Sequence, residues 1–213
     1  MSHWERQRKR EFYYQEAKKA GYRSRAAFKL IQIQRKFNVF KKGNIVLDLG
    51  AAPGGWTQVA YNFVSPIGKV YAVDLEYLEP IEGVLAIKGD ITDPKLKKRL
   101  RRLIGKPVDV IISDMSPKIT GNWSTDHARQ IYLSELAFKL CLEDFLVWGG
   151  KFVCKLFQGD LFEQFVENLK KVFQFVYLYK PKASRKSSAE IYAIAKGFTK
   201  GPTRKENNNN NSD

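Results

Sequence analysis

The sequence predicts a single α/β domain with a mostly parallel seven-stranded sheet, helices on both faces of the sheet, and a basic helical extension at the N-terminus. The length of 213 residues favours one domain. Short apolar runs alternate with helical periodicity from residue 45 onward, which is the pattern of a parallel sheet covered on both sides. Residues 1–42 hold thirteen Lys and Arg against three Glu, so a basic segment stands apart from the rest.

The elements follow in chain order. Residues 1–42 are expected to form one or two helices. Seven short apolar runs then predict strands at Ile45–Leu49, Val70–Val73, Val84–Ile87, Val108–Ile112, Lys151–Cys154, Phe175–Leu178 and Ile191–Ile194. Helical spacing of apolar residues predicts helices within Gln58–Val64, Leu96–Ile104, Ile131–Leu140 and Phe162–Val172.

The last two predicted strands are separated by a short basic loop, Lys180–Ser188, without a helix. We expect this pair to be antiparallel, because a parallel pair needs a longer crossover. Residues 1–198 are therefore interpreted as one domain. Residues 199–213, which include the run Asn207–Asn211, are predicted to be a disordered tail.

Several classes of protein are disfavoured by composition. Two cysteines, Cys141 and Cys154, and two histidines offer little from which to build a metal site or a disulfide framework, and no metal is predicted. No run of 18 apolar residues predicts a membrane-spanning helix. Residues 1–10 are charged and lack the apolar core of a secretion signal. We therefore expect a cytoplasmic protein, and a monomer.

The distribution of charge indicates a polyanionic partner. The formal net charge is +15, and a second basic cluster spans Lys95–Lys106 in addition to the N-terminal segment. Phosphate contacts explain such segregation, so nucleic acid is the expected partner. A generically solvated basic surface is the plain alternative. An anionic membrane surface is less favoured, because the N-terminal segment has no broad apolar stripe.

Acidic residues follow four successive predicted strands, namely Asp48, Asp74, Asp90 and Asp114. Ligands of open α/β sheets bind beyond the carboxyl ends of the strands. We expect Asp74 to accept hydrogen bonds from ribose hydroxyls and Asp90 to accept one from an adenine amine. An acid at the end of the first strand suits a ligand that carries an ammonium and a sulfonium, and would repel a pyrophosphate.

The loop between Asp48 and Thr57 is rich in small residues but is neither a GxxxxGK[ST] phosphate loop nor a GxGxxG dinucleotide fingerprint. Gly50, Gly54 and Gly55 allow the backbone to approach a ligand closely. Together with the four acids, this loop favours S-adenosylmethionine over a nicotinamide cofactor. An oxidoreductase that uses a nicotinamide cofactor is the alternative that the missing fingerprint disfavours.

Lys155 is the foremost candidate for the chemistry, because it interrupts an apolar run in which a charge is rarely buried without a partner. Asp114 and Glu190, each beside a predicted strand, are possible partners. Lys29 lies between Phe28 and Leu30 in a predicted helix, and would be taken for a surface lysine from the sequence alone.

Five motifs in order give the chain a resemblance to a known family. DLGAAPGGW at Asp48–Trp56, VDL around Asp74, KGDITD around Asp90, SDMSP at Asp114 and CKLFQG at Lys155 resemble the FtsJ/RrmJ family of RNA 2′-O-methyltransferases. The similarity spans about residues 22–197. It implies a Rossmann-like methyltransferase fold that uses S-adenosylmethionine, with a cofactor site that includes Gly54, Trp56, Asp74, Asp90 and Asp114.

The resemblance also implies a Lys–Asp–Lys–Glu tetrad, which falls on Lys29, Asp114, Lys155 and Glu190. Our hypothesis is that Lys155 accepts the proton of a ribose 2′-hydroxyl or only orients that oxygen, while the other three hold the lysine and the ribose. The loop from Ser116 to Trp123 is expected to border the ribose. Further RNA contacts are expected from Tyr22, Arg23, Arg25 and the loop Lys182–Ser188.

The RNA substrate is predicted by resemblance alone. Family members of this short build chiefly methylate a uridine ribose of large-subunit ribosomal RNA, in the ribosomal subunit, whereas some relatives modify tRNA or carry long C-terminal extensions. Because this sequence shows no such extension, large-subunit ribosomal RNA is the expected substrate and tRNA the alternative. A non-catalytic RNA-binding factor for ribosome assembly is a further alternative, which an intact tetrad disfavours.

Overall fold

The computed structural model describes residues 3–185 and 188–199, with two helices followed by strands that alternate with helices except at two strand-to-strand connections. The helices are α1 (His3–Lys19), α2 (Ala27–Phe37), α3 (Gly55–Val64), α4 (Pro94–Ile104), α5 (Trp123–Leu140) and α6 (Phe162–Lys170). The strands are β1 (Ile45–Leu49), β2 (Lys69–Asp74), β3 (Val84–Lys88), β4 (Val108–Ser113), β5 (Leu146–Phe157), β6 (Phe173–Tyr179) and β7 (Glu190–Phe198). Of the predicted tail at 199–213, residues 200–213 lie outside the described residues.

The seven strands form one sheet in the order β3-β2-β1-β4-β5-β7-β6. Neighbouring strands from β3 through β5 run parallel, and β7 runs antiparallel to both β5 and β6. The prediction of a mostly parallel sheet is therefore confirmed, including its antiparallel last pair. The strand order reverses between β1 and β4, and this is the place where open α/β sheets bind ligands.

Helices cover both faces of the sheet. On one face α2 and α3 pack against a core that includes Leu30 and Val59. On the other face α4, α5 and α6 pack against a larger core that includes Leu100, Phe138 and Phe165. The inner strands β1, β2 and β4 are thus buried on both sides, which explains why their sequences are continuous apolar runs rather than alternating ones, whereas the edge strand β3 is largely exposed.

The basic N-terminal segment contributes α1 and α2. Leu30 and Ile33 of α2 are fully buried, and its C-cap residue Asn38 adopts a left-handed conformation that ends the helix. None of the helices in the described ranges is long and apolar enough to cross a membrane. The described residues also contain no group of three or more His, Cys, Asp or Glu side chains placed to hold a metal ion.

Strand β5 is longer than the sequence predicts. The predicted strand ends at Cys154 because Lys155 interrupts the apolar run, but β5 continues to Phe157. Its register with β7 pairs Lys155 with Tyr192 and Phe157 with Glu190. The ladder with β7 therefore holds a lysine inside a strand that is otherwise apolar, and it places this lysine at the carboxyl end of the sheet.

Candidate active site

A cavity of about 350 Å³ opens at the carboxyl ends of β1, β2 and β4. Its volume falls within the usual range for a small-molecule site. Four of the predicted cofactor residues line it, namely Gly50, Asp74, Asp90 and Asp114. These residues come from four different loops, so the parallel sheet brings them together as the sequence predicts.

The carboxylates of Asp74 and Asp90 are held by the backbone. Asp74 accepts the amide of Ala52 on Oδ2 and the amide of Glu76 on Oδ1, each at 2.8 Å. Asp90 Oδ1 accepts both the amide and the hydroxyl of Thr92 at 2.8 Å. Each carboxylate is thereby fixed in orientation and keeps acceptor capacity for hydroxyl or amine donors of a ligand.

Gly50 is required at the floor of the cavity for two reasons. Its φ of +73° lies in the left-handed region that glycine adopts readily. A Cβ atom at this position would collide with the Met115 side chain. The absence of a side chain at residue 50 therefore keeps the loops after β1 and β4 close together and leaves the space above them open.

The structure does not bring the other three predicted cofactor residues into the cavity wall. Asp48 is fully buried beneath α3, where its Oδ2 accepts the Thr57 hydroxyl at 2.6 Å. Trp56 is buried in the core between the sheet and α2, and its indole N–H donates to the Ala26 carbonyl at 3.0 Å. Gly54, at φ +114°, precedes α3. Any contact of these three with a cofactor stays a prediction from the resemblance.

Arg23, from which an RNA contact is expected, is held by backbone carbonyls. Its guanidinium donates to the carbonyls of Glu79 at 2.6 Å and Pro80 at 2.7 Å, and to that of Pro53 at 3.4 Å. Arg23 therefore ties the loop after β2 to the glycine-rich loop after β1. These bonds use three of the five guanidinium N–H groups, and the RNA contact expected of Arg23 stays a prediction.

A cluster of charged side chains lies beside the cavity. Lys155 is 6% exposed and donates from Nζ to the backbone carbonyl of Asp114 at 2.7 Å and to Asp114 Oδ1 at 3.0 Å. The carbonyl oxygen of Lys155 is in turn held by Gln130 and Ser134 of α5, at 3.0 and 2.8 Å. Side chain and backbone are both fixed, so the amine is positioned rather than mobile.

A second ion pair joins helix α2 to strand β7. Lys29 Nζ lies 2.6 Å from Glu190 Oε1 and 2.7 Å from Oε2, and both side chains are 11% exposed. Ser184 donates its hydroxyl to Glu190 Oε1 at 2.8 Å. Lys29 is thus a buried, paired lysine, and its placement corrects the interpretation as a surface residue that the sequence alone would give.

Tyr192 connects the two ion pairs. Its hydroxyl donates to Asp114 Oδ1 at 2.8 Å and accepts from Lys29 Nζ at 3.2 Å. All four predicted tetrad residues therefore lie in one hydrogen-bonded network. Our sequence reasoning missed Tyr192, although it stands two residues after Glu190 in a strand and thus had to face the same side of the sheet.

The network sets the protonation of its members. Burial alone would raise the pKa of Asp114, but the positive charges of Lys155 and Lys29 and the Tyr192 hydroxyl together lower it below the ordinary value. Burial, together with the charges of Asp114 and Glu190, raises the pKa of Tyr192 well above its ordinary value. At neutral pH the cluster therefore holds an ionised Asp114 beside a neutral tyrosine.

The pKa of Asp48 is shifted in the opposite direction to that of Asp114. Burial raises its pKa to about 7, the Thr57 hydroxyl opposes this increase only in part, and the charges of Asp114 and Asp74 add to it. Its Oδ1 is buried and has no hydrogen-bond partner among the described residues. The acid at the end of β1 is thus protonated over much of the acidic range, unlike Asp114.

Comparison with known proteins gives one family. The model of the FtsJ-like methyltransferase family matches residues 22–198. A protein of Methanocaldococcus jannaschii named ribosomal RNA large subunit methyltransferase E is 52% identical over 201 residues, which cover 92% of this chain and 82% of that protein. A protein of Methanocella arvoryzae with the same name is 50% identical over 198 residues, which cover 93% of this chain and 76% of that protein.

Solved structures give the same fold. A crystal structure of a ribosomal RNA methyltransferase from Plasmodium falciparum matches with a TM-score of 0.74 and 31% identity, over 84% of this chain and all of that one. The MycE methyltransferase of mycinamycin biosynthesis, solved with Mg and SAH, matches with a TM-score of 0.55. At 16% identity, over 83% of this chain and 48% of MycE, the second likeness concerns the fold alone.

Proposed function

The chain belongs to the FtsJ-like methyltransferase family, and from this premise we propose that it transfers a methyl group from S-adenosylmethionine to a ribose 2′-hydroxyl of large-subunit ribosomal RNA. The observation that carries the proposal is the position of Asp114. This residue lines the cavity and also accepts Lys155 and Tyr192 of the charged cluster. A methyl donor in the cavity and a hydroxyl at the cluster would therefore meet at one residue.

The cavity fits S-adenosylmethionine. Two oriented carboxylates, Asp74 and Asp90, offer acceptors for ribose hydroxyls and an adenine amine. The pocket carries no lysine or arginine among its lining residues, so it does not suit a pyrophosphate. When bound there, S-adenosylmethionine supplies an electrophilic methyl group on a positively charged sulfur, which the ionised Asp114 would attract.

Lys155 acts on the hydroxyl. A lysine nitrogen is tetrahedral, and two of the three directions away from its chain are used by the carbonyl and carboxylate of Asp114. The remaining direction is left for the ribose 2′-oxygen. We propose that Lys155 first releases one ammonium proton to solvent, which leaves a lone pair directed at the 2′-oxygen. The neutral Nζ would then receive the hydroxyl proton as the oxygen–carbon bond forms, and the electron pair of the broken carbon–sulfur bond would stay on sulfur.

Lys29, Glu190 and Tyr192 act as positioning residues. Tyr192 donates to the same Oδ1 of Asp114 that Lys155 contacts. Lys29, which is paired with Glu190, in turn holds the Tyr192 hydroxyl, and these contacts span 2.6–3.2 Å. Because the cluster combines two lysines with two carboxylates, its charges balance, and the buried network can stay ionised without a strongly adverse desolvation energy. Much of the rate advantage is expected from this fixed geometry.

The substrate assignment rests on the named relatives, which are large-subunit ribosomal RNA methyltransferases. The test is transfer of labelled methyl to undermethylated large ribosomal subunits, free large-subunit RNA and tRNA. We expect transfer to the ribosomal substrates. Transfer to tRNA alone would replace the ribosomal assignment with the tRNA alternative. RNA binding without transfer to any of the three would favour an assembly factor. A cytoplasmic location and a monomeric state stay predictions from the sequence.

A further inference from the structure

We propose that Trp123, supported by Phe157 and His127, forms a stacking surface for a nucleobase of the RNA substrate next to the Lys155 network. The proposal rests on the proposed function and adds a base-binding subsite to it. Trp123 is the first residue of α5 and directly follows the loop after β4. Although its side chain is large and apolar, it is 51% exposed. Its ring therefore presents a substantial apolar face to solvent.

The ring of Trp123 is part of an aromatic group. It lies 6.1 Å from the His127 ring at an interplanar angle of 22°, and 6.1 Å from the Phe157 ring at 20°. Both supporting rings are buried, at 4% and 8% exposure. Three nearly parallel rings with only one exposed form a platform on which a further planar ring can stack.

The loop that carries Trp123 is held in a defined conformation. The buried carboxylate of Asp126 accepts the amide and hydroxyl of Thr120 at 2.8 Å and the amide of Gly121 at 3.1 Å. The hydrogen bond from the Thr120 amide lowers the pKa of Asp126 most, and the Thr120 hydroxyl lowers it further. The carboxylate therefore stays ionised. Asn122 caps α5 by accepting the Thr125 amide at 3.0 Å.

His127 is fixed from the other side. Its Nε2 accepts the Leu161 amide at 3.0 Å. The turn after β5 therefore closes over the start of α5. Because both the loop before Trp123 and the ring behind it are held in place, the exposed aromatic face is ordered before any ligand arrives, which reduces the entropy lost on binding.

The platform adjoins the reaction centre. Phe157 stands two residues after Lys155 in β5, a separation of roughly 7 Å along a strand. In the register of β5 and β7, Phe157 pairs with Glu190. The loop that ends at Trp123 begins directly after Asp114. A nucleotide whose ribose reaches Lys155 would thus place its own base, or that of a neighbour, within reach of Trp123.

An RNA base suits this surface better than an apolar protein segment. Lys118 is exposed in the same loop, and Lys155 lies nearby, so cations accompany the aromatic face. The combination of an exposed aromatic ring with lysines is the pattern that binds single-stranded nucleic acid. Neither the helix nor the core needs a tryptophan at this position, because the side chain is half exposed and the cap is Asn122.

The experiment compares Trp123→Ala with Trp123→Phe and with Trp148→Ala. Trp148 is a matched control, since it lies in the same strand as Lys155 and Phe157, at its opposite end, and is 68% exposed. Binding of a short single-stranded uridine oligonucleotide and of free large-subunit RNA is measured over a range of salt concentrations. S-adenosylmethionine binding and the thermal midpoint Tm verify that each variant is folded.

We expect Trp123→Ala to weaken RNA binding by about 5- to 150-fold at every salt concentration, with an unchanged salt slope, because stacking releases no counterions. Trp123→Phe should keep most of the affinity, and Trp148→Ala all of it. Equal affinities of the two alanine variants would overturn the proposal, as would a loss of affinity accompanied by a shallower salt slope. If the wild-type protein binds neither RNA, the proposed function fails together with the subsite.

Discussion

The cofactor cavity and the charged cluster share Asp114 but are built from different kinds of contact. In the cavity, Asp74 and Asp90 are held by backbone amides no more than 22 residues away in sequence. In the cluster, Lys29 reaches Glu190 across 161 residues and Lys155 reaches Asp114 across 41. Backbone amides near neighbouring strand ends thus orient the cavity carboxylates, whereas contacts between buried charges from more distant parts of the chain build the reaction centre.

The difference extends to the two buried aspartates. Asp114 is surrounded by two lysines and a tyrosine hydroxyl, and its pKa is lowered. Asp48 has only the Thr57 hydroxyl, and burial raises its pKa to about 7. Asp48 is fully buried, whereas the Asp114 side chain is 16% exposed, so partners together with depth of burial decide which aspartate carries a charge at neutral pH. The following changes test this contrast in order of expected effect.

Lys155→Met should have the largest effect, because it removes the group that holds the 2′-oxygen. We expect methyl transfer to fall by about 100- to 10,000-fold while S-adenosylmethionine binding is retained. Single-turnover transfer and calorimetric titration of the cofactor measure the two quantities. Lys170→Met on the exposed surface of α6 is the control. Near-normal turnover of a folded Lys155→Met protein would contradict the assigned role.

Asp48→Asn should make the folded protein more stable at pH 8 than the wild type, by about 4 kcal/mol at most. The pKa of Asp48 rises from 3.8 in the unfolded chain to about 7 in the folded one. The stabilisation that its proton provides is therefore complete below pH 3.8 and is lost as the pH rises through 7. Denaturant unfolding at pH 5 and pH 8 measures the free energy of unfolding of both proteins. If the variant differs from the wild type by the same free energy at both pH values, the raised pKa of Asp48 is refuted.

Lys29→Met should lower the free energy of unfolding by about 3 kcal/mol, because it leaves Glu190 buried without its cation. The double change Lys29→Met with Glu190→Gln should lose much less than the sum of the single changes. A double-mutant cycle in urea provides this comparison. Additive losses would mean that the two side chains do not act as a pair.

Asp74→Asn should weaken S-adenosylmethionine binding by roughly 10- to 100-fold, since a charged acceptor for ribose hydroxyls becomes a neutral one. Stability should fall by about 1–2 kcal/mol, because the asparagine oxygen can accept only one of the two backbone amides and the NH2 group faces the other. Titration of the cofactor and of RNA separates the two sites. An equal loss of RNA affinity would show that the cavity and the RNA surface are not distinct.

Lys98→Gln should have the smallest effect and tests the basic surface of α4, where Lys98 is exposed. Loss of one phosphate contact should reduce the slope of log affinity against log salt by about 0.7–0.9 and leave turnover at saturating RNA unchanged. Lys170→Gln serves as the control, because Lys170 pairs with Glu167 on α6. Identical slopes for the two variants would remove α4 from the RNA-binding surface.

The same contrast explains how much the sequence could predict. Apolar runs and acids at strand ends predict the sheet, its antiparallel last pair and the positions of Asp74 and Asp90, because these depend on local patterns. The alternation of β7 places Tyr192 on the same face as Glu190, but its bond to Lys29 and the burial of Lys29 depend on how α2 packs against β7, and no local pattern encodes that packing. Lys29 was found only through the resemblance, and the carbonyl partners of Arg23 were not predicted because they come from distant loops.

The most direct test of the account is the chemical position of the transferred methyl group. Large-subunit RNA is incubated with the protein and labelled S-adenosylmethionine, digested to nucleosides and analysed by mass spectrometry. The arrangement of Lys155 and Asp114 beside the cavity predicts a methyl group on the ribose, as a 2′-O-methyl nucleoside. A methyl group on the base, with none on the ribose, would contradict the role given to the charged cluster.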